Sequence, residues 1–151
     1  MYTHDSIPQD SEWMKRQLGE AIIAGERAMK SLSDACDKLS SAKKWGIFDM
    51  LGGGFIASMI KHSRMEDAAQ LLRRAGDDLA VFQDELQDVD VICDIDLETD
   101  GFLSFADVFM DSFVADALVQ EKIARIMRQA EEALERTGSI VAAMKEKHRM
   151  L

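Results

Sequence analysis

Proline is almost missing from this chain: Pro8 is the only one in 151 residues. Proline breaks helices by removing an N–H and clashing with the preceding turn, so its scarcity leaves long helices unobstructed. Aromatic residues are few, at 7%. Cysteine is limited to Cys36 and Cys93, far apart and in no Cys-x-x-Cys pattern; two free thiols in a reducing cytoplasm is the simplest reading. The start, Met1-Tyr2-Thr3-His4-Asp5, has neither the basic nor the apolar region of a secretory signal. Basic charge is short, with 18 Lys and Arg against 28 Asp and Glu, a net charge of −10. That field repels nucleic-acid phosphates and anionic lipids, so no nucleic-acid partner is expected. Lys43-Lys44 and Lys145–Arg149 are short basic clusters, read as solubilising charge or helix C-terminal cations. The most apolar window, 45–60, holds Asp49 and three glycines and falls short of the ~20 residues of a membrane span. No nucleophile elbow, His-Glu-x-x-His or dinucleotide fingerprint is present, and with only His4, His62 and His148 nucleophilic catalysis has little support.

What is present is helical. Hydrophobic residues make up 47% and charged residues 30%, enough to bury a core. Ser6, with Gln9 three positions on and Pro8 in the first turn, reads as a capping box. Leu18, Ile22, Gly25, Met29, Leu32, Cys36 and Leu39 then recur at alternating steps of four and three, a heptad seam. This predicts a first helix over 8–44. Gly52-Gly53-Gly54 cannot lie inside a stable helix, since each glycine costs about 1 kcal/mol there relative to Ala. The triplet marks the tip of a hairpin over 45–54. Met65, Ala68, Leu72, Ala75, Leu79, Phe82, Leu86 and Val89 form a second seam and predict a helix over 55–88. From Asp88 to Leu97 polar and apolar residues alternate, and Asp100-Gly101 is a turn signal, so 89–103 reads as an extended connection. Helical periodicity returns through Phe109, Phe113, Asp116, Gln120, Ile123, Met127, Ala130, Leu134, Thr137, Val141 and Met144. It predicts a third helix over 104–149, with a break or bend at Thr137-Gly138-Ser139. Asp116 and Gln120 on that seam read as a register-setting polar contact.

Three constellations carry chemistry. Asp96, Glu98, Asp100, Gly101, Ser104 and Asp107 fit much of a twelve-residue calcium loop, in which carboxylates converge around a glycine turn. Asp107 at position twelve is shorter than the usual Glu, and no second copy pairs with the loop. The alternative is a solvated acidic turn capping the third helix. Gly52, Gly53 and Gly54, followed by Lys61 and His62, offer backbone N–H groups and a cation to an anion, against the plainer reading of a tight tip. His62 and Glu66, facing Asp107 and Asp111, form a third set of divalent-metal ligands if the third helix lies suitably. If that helix runs antiparallel to the second, position 62 faces about 130 and Asp107 lies some 30–40 Å away. Glu131, Glu132 and Glu135 then neighbour Lys61 and His62. Trp45, Ile47, Phe48, Met50, Leu51, Phe55, Ile56, Met59 and Ile60 crowd the tip and are more than one end of a three-helix bundle readily buries; they meet a partner or a second copy of the chain, or else pack on one another as a local core.

Phe48-Asp49-Met50-Leu51-Gly52-Gly53-Gly54 followed by Lys61-His62-Ser63 resembles the aromatic-Asp-x-x-Gly-Gly-Gly…Lys-His-Ser pattern of an uncharacterised family of small helical bacterial proteins. Phe105-Ala106-Asp107 through Asp111 to Asp116 is similar to that family's Phe-Ala-Asp…Asp…Asp segment, with Val108, Met110 and Ala117 where bulky aromatics are usual. The resemblance covers about 45–120. It implies a helical bacterial cytoplasmic protein and marks Gly52–Gly54, Lys61, His62 and Asp107 as site candidates without assigning roles.

The expectation is a single all-α domain over 1–151: an elongated antiparallel hairpin extended into a three-helix coiled-coil bundle. The expected function is a non-enzymatic interaction or scaffold protein that self-associates, or meets a protein partner, through the apolar tip 45–60. The alternative is a protein binding calcium or another divalent metal through Asp96, Glu98, Asp100 and Asp107, or an anion at the glycine tip; a hydrolase with a carboxylate-bound metal comes third.

Overall fold

A computed structural model of the chain describes the backbone of residues 6–50, 55–93, 101–102, 104–107 and 120–151, and side chains over 11–41, 66–89, 101–102, 104–107 and 125–151. The protein is all-α, with no strand among the described residues. Helix α1 spans Ser6–Met50, α2 spans Phe55–Cys93 and α3 spans Gln120–Met150. At 1.5 Å per residue α1 is a rod of about 67 Å.

The second seam is buried in full where it is described: Ala68, Leu72, Ala75, Leu79, Phe82, Leu86 and Val89 are all within 1% of zero exposure. Burying a Leu or Phe side chain contributes roughly 1.5–3 kcal/mol, so this stripe clamps α2 onto α1. The first helix buries a wider face than a single heptad seam provides. Ala21, Ala24, Ala28 and Ala35 join Leu18, Leu32 and Leu39 in the core, while Ile22, Met29 and Cys36 are only partly buried against it. The reason is that α1 packs against both α2 and α3.

Cross-helix contacts fix the directions. Ser31 hydrogen-bonds Asp78, and a Cβ at Gly25 would stand 2.8 Å from Phe82 Cε1, so α1 and α2 are antiparallel. The same Cβ would stand 2.5 Å from Val141 Cγ2, one at Gly138 would meet Met29 Cε at 3.5 Å, and one at Gly19 would meet His148 Nε2 at 3.9 Å. Helix α3 is therefore antiparallel to α1 as well, and parallel to α2.

Residues 101–102 and 104–107 are also helical. They bridge α2 and α3, which make no close backbone contact with each other. Phe102 is buried edge-on against Phe82, ring centroids 5.8 Å apart, and Gln83 Nε2 donates to Asp107 Oδ1 at 3.3 Å. On the other side the Arg136 guanidinium lies 4.7 Å from the Phe105 ring centroid. This short segment thus packs against both α2 and α3.

Several boundaries expected from sequence are corrected. A single helix over 104–149 would hold residues 105 and 136 about 46 Å apart; the Phe105–Arg136 contact means that the chain reverses between them. The tip is shorter than 45–54, because α1 stays helical to Met50. The extended connection 89–103 is narrower too, because α2 continues to Cys93 and residues 101–102 are helical. Tertiary packing that carries Val89 into the core outweighs the β preference of the alternating residues after Asp88. No break occurs at Thr137-Gly138-Ser139: α3 runs through it, with Thr137 buried and Ser139 Oγ donating to the Glu135 carbonyl four residues back at 3.2 Å. The polar pair Asp116 and Gln120 lies outside the described side chains.

Candidate functional site

The middle of the bundle carries a polar layer. Ser31, 5% exposed, donates its hydroxyl to the Asp78 carboxylate across the α1–α2 seam. At the same level α3 contributes Thr137, fully buried, whose hydroxyl finds no hydrogen-bond partner. About two turns away the Gln129 side-chain carbonyl oxygen on α3 is buried and equally unpartnered. Arg136, beside Thr137, stacks on Phe105 and reaches Glu132 at 3.1 Å. A polar group in an otherwise apolar seam costs stability and favours one register over its neighbours. The Ser31–Asp78 pair has no imidazole beside it among the described residues, since His148 stands at the far end of α3 against Gly19. It is suited to alignment rather than to proton transfer.

The residues singled out for ligand chemistry separate. Gly52, Gly53 and Gly54 lie outside the described residues, as do Asp96, Glu98, Asp100 and Asp111. Lys61 and His62 lie within α2, with side chains outside the described set. Asp107 is exposed and engaged by Gln83, about 31 Å along α2 from position 62 and about 26 Å from Glu66. The set His62, Glu66 and Asp107 is therefore not brought together. Nor do Glu131, Glu132 and Glu135 neighbour Lys61 and His62. Because α3 runs parallel to α2, its first residues reach the level of position 62, and Glu131 stands close enough to Cys36 to act on its thiol. In a calcium loop the glycine makes the sharp turn. Here Gly101 is helical, open to solvent and not left-handed, and residues 104–107 are helical, while Asp96, Glu98 and Asp100 lie outside the described residues. Among the described residues no group of three or more His, Cys, Asp or Glu is placed to hold a metal, and no helix is long and apolar enough to cross a membrane.

Cys36 is a half-buried free thiol. Burial, then the carboxylates of Glu131 and Asp37, push its pKa up to about 11, which suppresses the nucleophilic thiolate. A shallow open cleft of about 250 Å³ lies between α1 and α2, lined by Lys38, Asp67, Gln70, Leu71 and Arg74. Its mixed charges on a solvent-facing floor give no convergent set for a small ligand.

The helical state of 45–50 changes the reading of the apolar tip. Trp45, Ile47, Phe48 and Met50 lie within α1, and Phe55, Ile56, Met59 and Ile60 within α2; their side chains lie outside the described set.

No protein-family model matches the chain, and no curated protein or solved structure matches it. The features that sequence reading missed are the polar layer and the Phe102–Phe105 bridge. Ser31 sits beside the seam position Leu32, Thr137 is itself a polar member of the third seam, and Phe102 and Phe105 are three apart, the helical spacing that signals a short buried face.

Proposed function

We propose that this protein is a non-enzymatic interaction or scaffold protein of the cytoplasm that self-associates through the apolar end of its hairpin, residues 45–60. The reading is supported by one observation above all: α1 stays helical to Met50, so Trp45, Ile47, Phe48 and Met50 belong to a helix and not to a loop. An apolar window at one end of a long hairpin calls for another surface, and a second copy supplies the same one in reverse, as a two-fold interface requires. The bundle itself is a stiff presenter: two helices of 45 and 39 residues hold their end at a fixed place and angle.

Sedimentation velocity over micromolar to millimolar protein tests it. At about 500 mM salt, where contacts built on charge are screened, the wild type is expected to assemble because the contact is apolar, and Phe48→Glu is expected to be monomeric there with unchanged helicity. A wild type that stays monomeric across the range refutes the proposal.

A further inference from the structure

The negative charge of this protein is concentrated. From Ala75 to Glu121 there are fourteen Asp and Glu and not one Lys or Arg. The rest of the chain holds fourteen acids against eighteen bases, so it is net positive inside a protein of net charge −10. The fold lays part of the acidic stretch along the outer face of α2. Asp77, Val81, Asp84 and Asp88 follow one another at helical spacing, all exposed, with Val81 half open to solvent at 50%. Glu85 lies beside this stripe and faces Glu20 of α1. Burial first, and then Glu20, Asp88 and Asp84, hold its carboxyl above the ordinary range.

The opposite charge gathers where α1 begins and α3 ends. Lys15 and Arg16 of α1 are exposed, and α3 closes with Lys145, Lys147, His148 and Arg149 followed by Met150, 71% exposed. Lys145 is committed to Glu26 at 2.5 Å, and Arg149 forks onto Glu146 at 2.5 and 3.2 Å. Lys15, Arg16 and Lys147 carry no ion pair among the described residues.

We propose that this basic corner docks onto the acidic α2 stripe of a second copy, forming a two-fold, salt-sensitive contact distinct from the apolar end. Each patch has the same design with the sign reversed: charges around an exposed apolar residue, Met150 on one and Val81 on the other. The antiparallel registers place the corner level with the start of α1 and the stripe just beyond it in the same half of the bundle. One two-fold axis between those levels brings each corner onto the other copy's stripe, so both contacts form together. Net charge does not forbid it. At physiological ionic strength the Debye length is about 8 Å, far below the length of the bundle, so the local opposite charges decide the contact and distant like charges are screened.

Charge exchange provides the test, run in the Phe48→Glu background so that the apolar end does not contribute. One variant carries Lys15→Glu and Lys147→Glu; the other carries Asp77→Lys, Asp84→Lys and Asp88→Lys. Each alone has two patches of one sign and is expected to sediment as a monomer. Their equimolar mixture restores both contacts and is expected to form a heterodimer. The parent in the same background is expected to lose about tenfold or more of its association constant between about 50 and 500 mM salt, as contacts built on charge do. Unchanged association of either variant, or a mixture that stays monomeric, overturns the proposal. A parent that is monomeric but binds anionic vesicles through Lys15 and Lys147 overturns it in favour of a lipid surface. Failure here leaves a salt-insensitive apolar dimer of the wild type intact, and failure of the apolar end leaves this contact intact.

Discussion

Replacing Gly25 by Ala places one carbon where three helices meet. On an isolated helix the change is favourable by about 1 kcal/mol, because glycine gives up more backbone freedom. In this bundle the new Cβ would lie 2.5 Å from Val141 Cγ2, 2.8 Å from Phe82 Cε1 and 3.1 Å from Phe82 Cζ. Neither neighbour yields readily. Val141 is β-branched, with a stiff first torsion, and Phe82 is fully buried and held edge-on by Phe102 at 5.8 Å. Relief requires α1 to retreat from α2 and α3 at once. Overpacking of this kind costs about 1–3 kcal/mol, and more when backbone must move. Set against the propensity gain of about 1 kcal/mol, the expected outcome is a net loss of up to about 2 kcal/mol. For a chain of this size that corresponds to a fall in Tm of up to roughly 8 °C. Urea and thermal unfolding followed by circular dichroism measure it. Gly138→Ala is the control: its Cβ meets only Met29 Cε at 3.5 Å, ordinary contact with a flexible side chain, so it should gain most of the ~1 kcal/mol. Adding Val141→Ala to Gly25→Ala removes the nearest atom and should recover part of the loss, a coupling that independent sites do not show. If Gly25→Ala stabilises as much as Gly138→Ala, the close approach of three helices at this point is wrong.

Four further outcomes are expected. Phe102→Ala removes a 3%-exposed ring packed on Phe82 and should cost about 3–5 kcal/mol in urea unfolding; a loss below 1 kcal/mol would mean that the bridging segment is not part of the core. Thr137→Val deletes a fully buried hydroxyl with no partner and should raise stability by about 1 kcal/mol, since an unsatisfied buried polar group costs about that much or more. The Glu85 carboxyl is raised in the folded state by burial and by Glu20, Asp88 and Asp84, so the folded protein holds its proton more tightly and stability falls as pH rises above the ordinary value of 4.5. Glu85→Gln should therefore raise Tm at pH 7, with the gain vanishing on titration to below pH 4.5; an equal gain at both ends would assign the effect to something other than ionisation. Cys36, with its pKa near 11, should react far more slowly with iodoacetamide at pH 8 than an unfolded-chain thiol and should become fully reactive in urea, as mass spectrometry of the modified peptide would show.

Periodicity alone determined much of this molecule. The second seam fell on the core at every described position from Ala68 to Val89, because a helix packed on one side needs one stripe. The first seam was legible only in part, because α1 is covered from two directions and the alanines flanking the stripe, Ala21, Ala28 and Ala35, become as buried as the leucines on it. Nothing in a heptad count says how many neighbours a helix has. The third rod could not be divided correctly from sequence either. Helical spacing continues through Phe105 and Met127 whether the chain goes straight on or turns back, and the contact of Phe105 with Arg136 settles the matter. The candidate site depended on the same decision. Spacing put Asp107 within reach of His62 or out of it according to the direction of the last helix, and the bundle carries Asp107 to Gln83 instead. The sequence by itself determined that amphipathic rods would form, where glycine would part the first two, and how acidic the whole would be. Only the tertiary structure decided which rods run parallel, which polar residues share a layer, and which charges reach the surface together. Local hydrogen bonding and residue spacing act within a few turns, whereas direction, register and patch formation depend on contacts between residues far apart in the chain.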